Sequence, residues 1–225
     1  MEQLDTQSIQ AERLGSRVLT AATVAYGVLG AVALVGFGTL PAASETGPQV
    51  VTWFHENANS VRYGVWAFTV AAPPFALMVV LLRRLLPSPH RDMFLFGAVA
   101  YTAEIGVWSW FWAGLALHPD QLQPAMARAI LDVGVFMGPV LTASTTTMMA
   151  PVTLLALRGQ SGIPRWLGAL GLIAFLEQSV ETITIFGSTG FTQPGGAMNM
   201  QLGAGLTFVW ILAFGFWGGF RGRVS

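Results

Sequence analysis

Residues 93–117 read MFLFGAVAYTAEIGVWSWFWAGLAL. One charged side chain, Glu104, stands in a run long enough to cross a bilayer core of about 30 Å as a helix. That stretch sets the reading of the whole chain. Five further runs meet the same length, at about 18–40, 61–86, 126–157, 165–188 and 199–220. Between them lie turn and charge signals: PAASETGPQ, LPSPHRD, HPDQLQP, RGQSGIP and STGFTQPGG. The expected fold is all-α, a polytopic membrane bundle of six transmembrane helices. Its parts are a polar N-terminal segment over 1–17, one transmembrane domain over 18–221 and a short tail over 222–225.

Composition agrees. The 225 residues are 53% hydrophobic and 10% charged, against about 25% charged in a soluble domain. The formal net charge is zero, which offers nucleic acid no basic face. Cysteine is absent, so thiol nucleophiles, disulfides and cysteine-ligated metals are excluded. The eleven basic residues are all arginine, a usage that points to a GC-rich bacterial genome. The polar start MEQLDTQSIQAERLGSR mixes acids with arginines, unlike a cleavable signal peptide.

Arginine placement predicts orientation. Arg13, Arg17, Arg83, Arg84, Arg91, Arg158, Arg165, Arg221 and Arg223 fall on one side of the spans, and only Arg62 and Arg128 on the other. Both termini are then cytoplasmic, in a bacterial cytoplasmic (inner) membrane. APPFALMVVLLRR followed by GAVAYTAEIGVW is weakly similar to APVTLLALRG followed by GALGLIAFLEQSVE. This pairs the second and third spans with the fourth and fifth in one orientation. The inverted repeat of many alternating-access transporters is missing.

The chemistry sits in four carboxylates within the spans: Glu104, Asp132, Glu177 and Glu181. An ionised acid at the bilayer centre costs on the order of 3 kcal/mol, so these side chains are expected to face an interior or a wet cavity. The assigned depths group them from the midplane towards the outer face. Glu177 and Glu181 are one helical turn apart, and two such acids cannot both ionise cheaply there, which leaves a proton donor beside an acceptor. Arg128 can pair locally with Asp132. Tyr101, Trp108 and Trp112 share the Glu104 stripe, while Trp110 faces away. Phe111, Thr142, Thr146, Thr184 and Asn199 complete the expected pocket lining. Each acid also has a plain reading as helix glue, and Trp112 one as part of an aromatic belt. Pro73, Pro74, Pro139 and Pro151 interrupt helical hydrogen bonding, which suits a cavity or ordinary bent packing. His55, His90 and His118 are expected in loops, in no established metal-ligand spacing, so neither metal nor cofactor is expected.

The succession RDMFLFGAVAYTAEIGVW, LDVGVFMGPVLTAS, PRWLGALGLIA and VWILAFGFWGGF resembles a bacterial six-helix membrane family, domain of unknown function 4386. The resemblance covers roughly 11–222 and rests on Glu104, on Asp132 followed by Gly138–Pro139, and on Pro164. It implies architecture and no activity, and does not require Glu177 or Glu181.

Three functions stay open. The first is a cofactor-independent enzyme acting on a lipophilic small molecule by acid–base chemistry, of isomerisation or cyclisation type. Glu104 and Glu177 are its expected acid and base, with Asp132 and Glu181 tuning them, and the aromatic rings would stabilise a developing cation. The second is a proton- or cation-coupled transporter, whose small size favours a homo-oligomer. The third is an accessory membrane subunit. The expected partner is a membrane lipid or lipophilic small molecule.

Overall fold

A computed structural model describes residues 2–221, with side chains from Arg13 onward. Seven α-helices and no strand occur among the described residues: α1 (Glu2–Phe37), α2 (Gly47–Leu82), α3 (His90–Leu117), α4 (Pro124–Val135), α5 (Met137–Leu157), α6 (Arg165–Glu181) and α7 (Ala204–Arg221). The α4–α5 pair forms one continuous rod, so the bundle holds six helices long and apolar enough to cross a membrane. The 222–225 tail and Arg223 lie outside the described residues.

Two helices are longer than their apolar runs. The N-terminal polar segment is largely helical and joins α1. α2 begins at Gly47 rather than near 61, and its 36 residues extend about 54 Å. Val50, Phe54, Ala58 and Val61 explain the extension, because they recur every three or four residues and are all buried. Thr46 and Gln49 begin the helix: the Thr46 backbone N–H donates to Gln49 Oε1 at 2.7 Å, with Pro48 in the first turn. His55 therefore lies in a helix rather than a loop.

The break between α4 and α5 has a local cause. Pro139 has no N–H to give the carbonyl four residues earlier, that of Val135, and α4 ends there. α5 resumes at Met137, one residue on, so Pro124–Leu157 still makes the single span expected over 126–157, interrupted only at Phe136.

Two buried clusters build the core. One, at the arginine-rich end, centres on Met78, Phe94, Met149, Leu167, Trp210 and Phe214. The other, at the arginine-poor end, joins Phe37, Phe54, Trp108, Trp112, Leu131 and Val135. The Trp108 and Trp112 rings lie 5.4 Å apart, and Phe37 packs on Trp108 at 4.7 Å. A cavity occupies the bundle axis where these two clusters part.

Candidate functional site

The segment LEQSVE, Leu176–Glu181, closes α6. Helical spacing turns Gln178 and Glu181 inward, and both are buried while Glu177 stays at the margin. Gln178 Nε2 donates to Glu181 Oε2 at 2.7 Å and to Glu177 Oε2 at 3.0 Å. One amide group thus stands between the two acids.

The other oxygen of Glu181 is met from the far side of a loop. After α6 the chain makes a 3-10 turn, Thr182–Phe186, and returns through a π-helical turn, Met198–Gly203. Turns of that kind recur where a side chain must be re-aimed into a site. Here Asn199 Nδ2 donates to Glu181 Oε1 at 2.5 Å and to Thr184 Oγ1 at 3.2 Å. The Gly195 N–H donates to Asn199 Oδ1 at 3.0 Å, and a backbone N–H can only donate, so the amide's orientation follows. Gly203 makes the approach possible, because a β-carbon there would overlap the Glu181 carboxyl.

Beyond Gln178 the polar layer continues. Thr145 Oγ1 donates to Gln178 Oε1 at 2.5 Å, and Ser144 Oγ donates to Glu104 Oε2 at 2.5 Å. Thr145, Gln178, Glu181 and Asn199 therefore form one linked network across α5, α6 and the π-turn, and Ser144, the residue next to Thr145, carries the bond to Glu104 on α3. Gln178 interrupts any direct acid-to-acid path within it, since an amide N–H is a poor relay for a proton.

The axial cavity has a volume of about 90 Å³, room for several waters at roughly 10–15 Å³ each. Gln178, Glu181 and Asn199 give it a polar wall, and Tyr26, Phe37, Phe68, Trp108 and Phe208 an aromatic one. Thr207 also lines it, with a buried hydroxyl that has no hydrogen-bond partner. The Tyr26 and Tyr101 side chains interact with each other at its edge, and both rings pack on Phe75.

The expected site residues separate into groups. Tyr101, Trp108, Glu181 and Asn199 line the cavity, and Thr184 supports Asn199 from behind. Glu104 and Glu177 touch the polar layer without lining the cavity. Asp132 stands apart from that layer, so the expected grouping of four acids reduces to three. Its carboxylate takes Arg128 Nε at 3.2 Å and Nη2 at 2.5 Å, while Arg128 also donates to the Glu45 and Ala43 carbonyls. That pair anchors the connection between α1 and α2.

Trp112 is only 1% exposed, packed in the aromatic core rather than in an exposed belt. Phe111 is 37% exposed and Trp110 75%, both away from the cavity. The Thr142 hydroxyl donates to the Pro139 carbonyl and that of Thr146 to the Thr142 carbonyl, so both are spent on backbone. His55 Nδ1 lies 3.2 Å from Asp120 Oδ1, and no three His, Asp or Glu side chains converge as metal ligands among the described residues.

Gln178 and Tyr26 were missed from the sequence. Gln178 had a signal, an amide flanked by two acids on an otherwise apolar helix. Tyr26, in a plain apolar run, had none. Compared with known proteins, the chain matches no family model, no curated protein and no solved structure.

Proposed function

We propose that this is a multi-pass bacterial membrane protein with cytoplasmic termini, and that the axial cavity binds the reactive end of a lipophilic small molecule for acid–base isomerisation at Glu181. The carrying observation is the Glu181 carboxyl at an aromatic-lined cavity, with Gln178 and Asn199 each donating to one of its oxygens. No arginine or histidine among the described residues hydrogen-bonds or pairs with it. Donors on both oxygens fix the orientation of the carboxyl at the cavity wall. It would take a proton from one carbon of the substrate and return it at another, shifting a double bond with no change in composition. A positioned base of this kind contributes typically 10²–10⁴-fold. Gln178 and Asn199 act as positioning residues. Tyr26 and Tyr101, whose side chains meet at the cavity edge, would offer a hydroxyl to a substrate oxygen there. This reading moves the base from Glu104 and Glu177 to Glu181, because only Glu181 lines the cavity. The resemblance to domain of unknown function 4386 would imply a bacterial six-helix architecture and no activity.

A second reading, proton- or cation-coupled transport, draws on the same acid, which has no cationic partner among the described residues and can take up a proton or a lipophilic cation.

The test is to identify small molecules that co-purify with the detergent-solubilised protein by mass spectrometry, for wild type and Glu181→Gln. A molecule lost from the variant and converted by wild type to a product of equal mass supports the isomerase. Proton flux in proteoliposomes on adding that molecule, without conversion, supports transport instead. Identical bound molecules in the two proteins, with unchanged turnover, would sink the role of Glu181.

A further inference from the structure

A cavity of about 90 Å³ admits the reacting end of a lipophilic molecule and little more. The rest of such a molecule needs room elsewhere, and the bundle has it. Between α2 and α3 runs a groove of about 290 Å³, roughly three times as large. The two spaces share a wall, for Tyr26, Phe68, Tyr101 and Ile105 line both.

The chemistry of the groove selects its occupant. Thr69, Thr102 and Ser109 line it, yet each hydroxyl donates back to its own helix: to the Val65 carbonyl at 2.9 Å, the Ala98 carbonyl at 2.8 Å and the Ile105 carbonyl at 2.8 Å. Those side chains offer a ligand no free donor. Pro73 and Pro74 lack the N–H groups that would bond the Thr69 and Val70 carbonyls, and of those two residues Thr69 lines the groove. Ala71, Ala72 and Gly106 keep the floor low, and a β-carbon at Gly106 would have nothing within 4 Å. Trp110, three-quarters exposed, flanks the groove on its outer side. Helices of this length and apolarity put that side in lipid.

We infer that the α2–α3 groove seats the hydrocarbon chain of a single-chain lipophilic substrate drawn from the bilayer, while the Tyr26–Tyr101 wall is the threshold its reactive end crosses to reach Glu181. The inference rests on the membrane and substrate reading above, and its test does not depend on turnover.

The experiment uses the full chain in phosphatidylcholine vesicles containing a diazirine-bearing palmitate, with adducts mapped by peptide mass spectrometry. Labelling is expected to concentrate on residues 65–75 and 101–110. It should exceed that of the exposed Phe96–Val99 face of the same α3 by about fivefold or more, the gain from about five to ten extra van der Waals contacts, since bulk lipid is as apolar as the groove. Gly106→Leu fills the groove and removes that excess. Gly114→Leu, whose β-carbon also has open space, keeps it. Equal labelling of groove and Phe96–Val99 face, or an excess that survives Gly106→Leu, overturns the proposal. Glu181→Gln separates the two readings. Groove labelling that persists while Glu181→Gln changes neither bound molecules nor turnover keeps the chain site and removes the acid–base role.

Discussion

Asn199 and Glu181, 18 positions apart in sequence, meet at 2.5 Å between the amide nitrogen and one carboxyl oxygen. Each holds a second group in place. Asn199 supports Thr184 and takes the Gly195 N–H, while Glu181 takes the Gln178 amide. Buried polar groups linked in this way stand or fall together, because a lone unpaired member costs about 1–3 kcal/mol.

That coupling is measurable. Asn199→Leu should destabilise the bundle by about 1–3 kcal/mol, since it strands the Gly195 N–H and one Glu181 oxygen. A double-mutant cycle with Glu181→Leu, which removes the acceptor, read by unfolding in detergent, should return an interaction of about 0.5–3 kcal/mol. Simple additivity would mean that the two side chains do not act on each other.

Gly203 and Gly205 form a controlled pair. A β-carbon at Gly203 would strike the Glu181 carboxyl, whereas one at Gly205 has nothing within 4 Å. Gly203→Ala should cost about 1–3 kcal/mol through overpacking. Gly205→Ala should be neutral or gain about 0.5–1 kcal/mol from helix propensity. Equal unfolding temperatures for the two variants would contradict the close approach of the π-turn to α6.

Arg128 ties three partners at once: Asp132, the Ala43 carbonyl and the Glu45 carbonyl. Arg128→Ala should speed amide exchange across residues 39–46 by about 10–100-fold, the equivalent of the roughly 1.5–3 kcal/mol that hydrogen bonds to a charged group supply. Arg128→Lys should rescue little, because an ammonium lacks the planar fork that reaches all three. Unchanged exchange in the alanine variant would leave Arg128 without this anchoring role.

The chain has no cysteine, so single introduced thiols report topology cleanly. Gln121 and Gln160 are exposed at opposite ends of the bundle. With cytoplasmic termini, Gln121→Cys should react with a membrane-impermeant maleimide in intact cells, and Gln160→Cys only after permeabilisation. The reverse pattern would invert the orientation.

Span number was legible because it follows from length and apolarity alone, as the stretch around Glu104 shows. The start of α2 was also written locally, in Thr46, Pro48 and Gln49 and in the spacing of Val50, Phe54, Ala58 and Val61. The residues between Thr46 and Val61 are too polar as a set to read as a membrane span, so apolar length alone starts the helix near 61. The α4–α5 break could have been placed from Pro139, whose effect falls four residues back on Val135.

The site was legible only in part. Helical spacing selected Trp108 over Trp110 and put Glu177 and Glu181 on one inward stripe, of which only Glu181 is buried at the cavity. It also placed Glu104 on an interior stripe, and there it stopped. Whether an interior acid meets a cavity or a serine depends on the neighbour opposite, and Ser144 lies 40 positions away. Asp132 looked like a fourth pocket acid by depth, yet Arg128 one turn earlier claimed it.

By itself, then, the sequence determined an all-helical chain with six apolar crossings and a few costly acids inside them, because hydrophobic length and the expense of buried charge are local properties. The tertiary structure alone decided which acid faces a cavity, that Asn199 returns from a distant turn to meet it, and that Tyr26 and Tyr101 line both cavity and groove. Those relations arise where helices cross, and a crossing is set by packing between segments distant in the chain.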